Sequence, residues 1–233
     1  MTGFRPVLAC LVALLLMIVA QYSGLDFWLS SKYYQLSQGW MWQQSWLLET
    51  VIHRGGRILV GMSLLAMLVA CIWLNLRTGI RAQTRLASSY LCVAFIMSLL
   101  SVAVLKHSTT LPCPWDVKDL GGSMEFVYFE QMFSSQLPVG NCFPSGHASG
   151  GFAFFSVFFA MSLYRHSSSI SGAPLASRVW LAPGLLLGVT YGFAQQLRGA
   201  HFLSHDIASA LVSWSVCYLC YRLFKRLSLR QQV

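Results

Sequence analysis

Residues 142–164 read CFPSGHASGGFAFFSVFFAMSLY. This stretch decides the fold because it joins two features that ordinary soluble helices keep apart. From Gly151 to Tyr164 it is almost wholly apolar and carries no Asp, Glu, Lys or Arg. Yet it opens with Pro144-Ser145-Gly146-His147, which adds a hydroxyl, a glycine and an imidazole. A helix start needs only the serine as a cap. The rest of the polarity depends on where the run sits and what faces it.

The composition places it in a membrane. The chain has 233 residues, 56% hydrophobic and only 10% charged. A soluble domain carries about 25% charge, and a soluble chain of this length cannot hide so much apolar surface. Runs without Asp, Glu, Lys or Arg cover residues 6–25, 58–76, 86–105, 131–164, 179–197 and 207–221. A spanning helix needs about 17–25 mostly apolar residues. The fourth run is mixed as far as Pro144, so its helix starts near His147. The sixth is lengthened by Leu223 and Phe224, with Arg222 able to snorkel. The predicted fold is all-α, an integral membrane bundle of six transmembrane helices. It divides into residues 1–54 (first helix and outer segment), 55–224 (five-helix core) and 225–233 (basic tail).

Basic residues set the orientation. With the N-terminus inside, cytoplasmic segments hold Arg5, Arg77, Arg81, Arg85, Arg165, Arg178, Arg222, Lys225, Arg226 and Arg230. The outer side holds Lys32, Arg54, Arg57, Lys106, Lys118 and Arg198, a split of ten to six. The net charge of +9 is scattered between apolar runs, so nucleic acid is excluded as a partner. The first run has Arg5 and small residues near Ala20, like a signal peptide. Its long core and Ile18 argue against cleavage. Residues 24–57 are rich in Trp and Tyr, the composition of an interfacial helix at the headgroup level. Gly184, Gly188 and Gly192 make a smooth packing stripe on the fifth span.

Three polar clusters fall on the outer face: Leu105–Asp116, Cys142–Phe152 and Gln195–Ala210. Polar groups near a membrane core are costly and tend to be functional. Singly, each has a plain reading: Lys106 as a snorkelling lysine, Ser145 as a cap, His201 as an interfacial histidine. Together they suit phosphoryl transfer. Lys106 and Arg198 supply fixed positive charge. Ser145 and the amides of Ser145, Gly146 and His147 make an anion site at a helix start. Two imidazoles can serve as nucleophile and acid, without a metal or other cofactor.

The order Lys, Pro-Ser-Gly-His, then Arg…His…Asp resembles the type-2 phosphatidic acid phosphatase superfamily, whose relatives include bacterial lipid phosphatases and vanadium haloperoxidases. Its usual motifs are Lys-x6-Arg-Pro, Pro-Ser-Gly-His and Ser-Arg-x5-His-x3-Asp. The resemblance covers about residues 55–224. It implies that Lys106, Ser145, Gly146 and Arg198 bind phosphate, that His147 is the general acid, and that His201 is the nucleophile, oriented by Asp206. Three departures stand out. Cys113 occupies the place of the first-motif arginine. Gln195 stands six residues before His201, with Arg198 three before it. Asp206 follows His201 by five residues, and His205 occupies the usual aspartate place.

The implied activity is hydrolysis of a lipid phosphomonoester or pyrophosphate through a phosphohistidine at the outer, periplasmic face of a bacterial inner membrane. The partners are the lipid phosphate and the bilayer. Two alternatives are a phosphotransferase using the same site and a non-catalytic binding or scaffold relative. A metal site at His201, His205 and Asp206 is a further reading, opposed by the charge of Lys106 and Arg198. His53, beside Arg54-Gly55-Gly56-Arg57, can border the same site from the second span. Cys10, Cys71, Cys92, Cys217 and Cys220 lie in spans and act as small apolar residues. Cys113 and Cys142 share the outer loop, and in an oxidising periplasm they are expected to form a disulfide.

Overall fold

The computed structural model describes residues 6–167 and 178–230. Arg5, the Ser-rich part of the 165–178 loop and the end of the basic tail lie outside the described residues. The chain opens with α1 (Pro6–Tyr22) and α2 (Leu25–Ser31), which meet at a 63° bend. A two-stranded antiparallel hairpin follows, β1 (Tyr34–Gln35) with β2 (Gly39–Trp40). A π-helical turn over Leu47–Gly55 runs directly into α3 (Gly56–Leu76). Then come α4 (Ala82–Lys106), α5 (Gly146–Phe152), α6 (Phe155–Ser167), α7 (Ala182–Leu197) and α8 (Leu203–Arg230).

The chain is a helical integral membrane protein. Among the described residues four helices are long and apolar enough to cross a bilayer: Leu47–Leu76, Ala82–Lys106, Gly146–Arg165 and Leu203–Ser228. The bent α1–α2 pair is a fifth candidate. The sixth expected span, α7, has 16 residues, or roughly 24 Å of helix against a hydrocarbon core of about 30 Å. Pro183 sits in its first turn, and Gly199 ends it in the left-handed conformation with φ 78°.

Burial sorts the spans. The apolar window of Gly146–Arg165 is 67% buried inside the protein, whereas that of Leu47–Leu76 is not buried at all. The motif-bearing segment is therefore central, and α3 lies at the outside of the bundle. Phe155, Phe158, Phe159, Trp214 and Tyr221 pack with Tyr90 as the main core. The Tyr90 hydroxyl donates to the Cys217 carbonyl at 2.7 Å, tying α4 to α8. The expected glycine stripe is a close-packing seam. A Cβ on Gly151 would lie 2.2 Å from the Gly188 nitrogen, so α5 and α7 touch backbone to backbone.

The Trp/Tyr-rich outer segment is only partly helical. After α2 the chain turns through the hairpin, and Trp40 packs over Gly199 instead of lying along a headgroup-level helix. Asp26 of α2 is buried, and its carboxylate accepts from the Ser204 amide at 2.9 Å. The N-terminal segment thus supplies a cap for the first turn of α8.

The 106–146 loop is irregular but well tied. Thr109 donates to the Phe143 carbonyl at 2.6 Å. Gln21 at the end of α1 accepts from the Phe129 amide at 2.9 Å. The Tyr22 hydroxyl donates to Glu130.

Candidate active site

Lys106 ends α4 and is half-buried beneath the start of α5. Its Nζ would lie 3.7 Å from a Cβ placed on Gly146, so the glycine leaves the ammonium open to the helix start. Ser145 is the N-cap of α5, and its hydroxyl accepts from the Ala148 amide at 3.4 Å. Its own amide donates to the His205 carbonyl at 3.1 Å. Of the three amides expected to face an anion, that of Ser145 is therefore already bonded. Those of Gly146 and His147 remain in the first helical turn, where no intrahelical acceptor exists.

His147 stacks edge-on against His53, with ring centroids 3.8 Å apart. Its Nε2 is buried with no hydrogen-bond partner among the described residues. Lys106, Gly146 and His147 line one cavity of about 360 Å³. The other walls come from α3 (Gly56, Arg57, Val60, Gly61, Leu64), Leu99, Gly150 and Tyr191.

Behind His147 lies a network that sequence reasoning barely touched. Arg198 Nη1 donates to His53 Nδ1 at 2.6 Å and to Gln195 Oε1 at 2.9 Å. Its Nε donates to the Gln43 carbonyl at 3.1 Å. The same guanidinium is ion-paired with Glu49, which also holds Arg54 at 3.1 Å. His53 Nδ1 also lies 3.3 Å from the Glu49 carboxylate. Arg198 is buried, and the guanidinium expected to bind phosphate is engaged by Glu49, His53, Gln195 and Gln43. The Glu49 carboxylate neutralises it. Glu49 lay unread in the sequence because a lone glutamate in an interfacial stretch carries no motif.

His201 is buried in the short turn between α7 and α8. Burial holds its ring well below the ordinary histidine value, and the nearby His205, Lys106 and His147 push the same way. The ring is a neutral imidazole, the form able to attack phosphorus. Its Nδ1 lies 3.4 Å from Cys142 Sγ. Cys142 and Cys113 are joined as a disulfide, with Cα atoms 5.3 Å apart. The expected pairing is present, and its sulfur touches the histidine expected to react.

Asp206 does not take the place expected of it. Its carboxylate accepts from Gln196 Nε2 at 2.7 Å and packs where a Cβ on Gly192 would lie 2.7 Å away. Among the described residues no hydrogen bond joins it to His201. His201 lies in the turn before α8 and Asp206 in the first turn of that helix, where the carboxylate faces Gln196 of α7. The ring nearest His201 is instead His205, buried beside it at 5.9 Å between centroids.

The nitrogens of His201 and His205 and the Cys142 sulfur lie within 4.8 Å of one another. The sulfur is committed to the disulfide and offers no thiolate. With Asp206 turned to Gln196, the imagined His201–His205–Asp206 metal set is reduced to two imidazoles.

No curated protein and no solved structure matches the chain significantly. The family profile described as PAP2 superfamily matches residues 87–228, more than half of the chain and all three polar clusters. The chain belongs to the PAP2 superfamily, a membership that supports phosphatase activity on phosphate esters.

Proposed function

We propose that this protein hydrolyses a lipid phosphate ester at the outer face of a bacterial inner membrane. The observation that carries the reading is the cavity at the head of α5. Lys106, Arg57, Gly146 and His147 line it together with the apolar Val60, Leu64 and Leu99. An ester of phosphate with an apolar chain matches that mixed lining.

In the proposed reaction a His201 nitrogen attacks phosphorus. The N–P bond forms as the ester O–P bond breaks. His147 gives its proton to the departing alkoxide. Water then attacks the phosphohistidine, its proton returns to His147, and inorganic phosphate leaves. Lys106 and the Gly146 and His147 amides balance charge on the phosphoryl oxygens. Arg198 acts at one remove, by holding His53 against His147. His201 Nδ1 faces the disulfide sulfur, which leaves Nε2 for the attack.

The full topology in this reading has six spans, with α1–α2 and the short α7 both crossing and the active site in the periplasm. The test is phosphate release from a short-chain phosphatidic acid by purified protein without added metal. Steady release that is lost in His147→Ala supports the reading. No release from any lipid phosphate, under conditions where the protein is folded, contradicts it.

A further inference from the structure

A bound phosphomonoester carries about −1.5 to −2 charge at neutral pH. The site built from the family motifs offers only one free cation against it. Position 113 holds a disulfide cysteine in place of arginine. Arg198 is spent on Glu49, His53, Gln195 and Gln43. Lys106 alone remains, with no hydrogen-bond or ion-pair partner among the described residues.

One further cation lines the same cavity. Arg57 stands in the first turn of α3 and shares that cavity with Lys106, Gly146 and His147. It too has no hydrogen-bond or ion-pair partner among the described residues. Its place is fixed by Gly56, which is buried against Tyr191. A Cβ there would meet the phenol ring at 2.9 Å, so the start of α3 is pressed onto α7. Arg54, three residues earlier, is already paired with Glu49. Arg57 is exposed at the outer end of α3, so its guanidinium is open to an anion entering the cavity. Arg57 also lies outside residues 87–228, so the family match says nothing about it.

We propose that Arg57 is the second phosphate-binding cation, standing in for the arginine missing at position 113. Together with Lys106 it grips the phosphate of an ester whose apolar chain runs along Val60, Gly61 and Leu64. This rests on the proposed lipid phosphate reading and supplies its missing charge. A guanidinium offers a planar pair of donors that matches two phosphate oxygens, whereas an ammonium offers a point charge.

The experiment is calorimetric titration of inorganic phosphate into the full chain in detergent, comparing wild type, Arg57→Gln, Arg57→Lys and the distant Arg81→Gln. Loss of one charge-assisted contact predicts about tenfold weaker binding or more in Arg57→Gln. Arg57→Lys should fall between that and wild type, and Arg81→Gln should match wild type. Should Arg57→Gln fail to fold, Arg57→Lys carries the test through its intermediate affinity. Wild-type affinity in every folded Arg57 variant overturns the proposal. A second titration compares methyl phosphate with dodecyl phosphate. Tighter binding of the dodecyl ester is expected, and equal affinities overturn the placement of the chain. If phosphate binding depends on Arg57 but no lipid phosphate is hydrolysed, the reaction fails and the clamp stands. If hydrolysis occurs and Arg57→Gln binds phosphate like wild type, the clamp fails and the reaction stands.

Discussion

The Asp206 carboxylate is bonded to Gln196 at 2.7 Å, and His201 meets the Cys142 sulfur and the His205 ring instead. A buried carboxylate that directly orients a catalytic histidine is worth about 10⁴ in turnover when it is made an amide. Here the carboxylate joins α7 to α8. Asp206→Asn should therefore keep turnover within about tenfold of wild type while lowering the thermal midpoint. Steady-state rates and melting curves on the same preparation check this. A loss approaching the direct-partner figure would place Asp206 back on His201.

The disulfide should support both stability and the reacting ring. Cys113 and Cys142 are separated by 29 residues. On chain-entropy grounds a closed loop of that length contributes about 3–4 kcal/mol. Cys142 Sγ also lies 3.4 Å from His201 Nδ1 and 3.0 Å from the Ala200 carbonyl. Cys142→Ser should abolish the mobility difference between reduced and non-reduced gels. It should also lower both the thermal midpoint and kcat. Full activity in a strong reductant, with both thiols alkylated after unfolding, would contradict this.

Much of this site was legible in the sequence, and the reasons differ by residue. Lys106, Ser145, Gly146 and His147 lie on or beside helix ends, so the edges of the apolar runs locate them. The cysteine pair followed from two cysteines sharing one oxidising loop. The contact of Asp206 with Gln196 was not legible because sequence spacing does not show which way a side chain at a helix start points. Glu49 and Asp26 escaped because their partners, Arg198 and the Ser204 amide, are far away in sequence, and His53 was placed beside the site without its contacts to Arg198 and His147. Periodicity marks which helices exist but not how their polar ends interlock. The α-helix α7 is shorter than the apolar run 179–197 because Val179–Leu181 form a 3-10 turn before it.

Asp26 should act on stability and not on chemistry. It caps the first turn of α8 from the N-terminal segment. Replacing a capping carboxylate by alanine costs roughly 1 kcal/mol. Asp26→Ala should lower the thermal midpoint in detergent and leave KM for a lipid phosphate near the wild-type value. An unchanged midpoint would mean that the cap contributes nothing.

His201 also makes stability depend on pH. Its folded pKa lies well below the ordinary histidine value of about 6.5, chiefly because the ring is buried. The unfolded chain therefore binds a proton that the folded chain does not. The contribution is fully present above pH 6.5 and is lost as pH falls, by up to about 1.4 kcal/mol per pH unit. Between pH 6.5 and 5 the thermal midpoint should drop, and His201→Gln should flatten part of that drop. Identical slopes in the two proteins would show that His201 titrates normally.

The central claim is that phosphorus is transferred to His201. Its most direct test is rapid quenching of the protein during turnover of a ³²P-labelled lipid phosphate, followed by peptide mapping. The label should be acid-labile and base-stable, map to His201, and disappear in His201→Ala. Label on His205, or steady turnover by His201→Ala, would contradict the account.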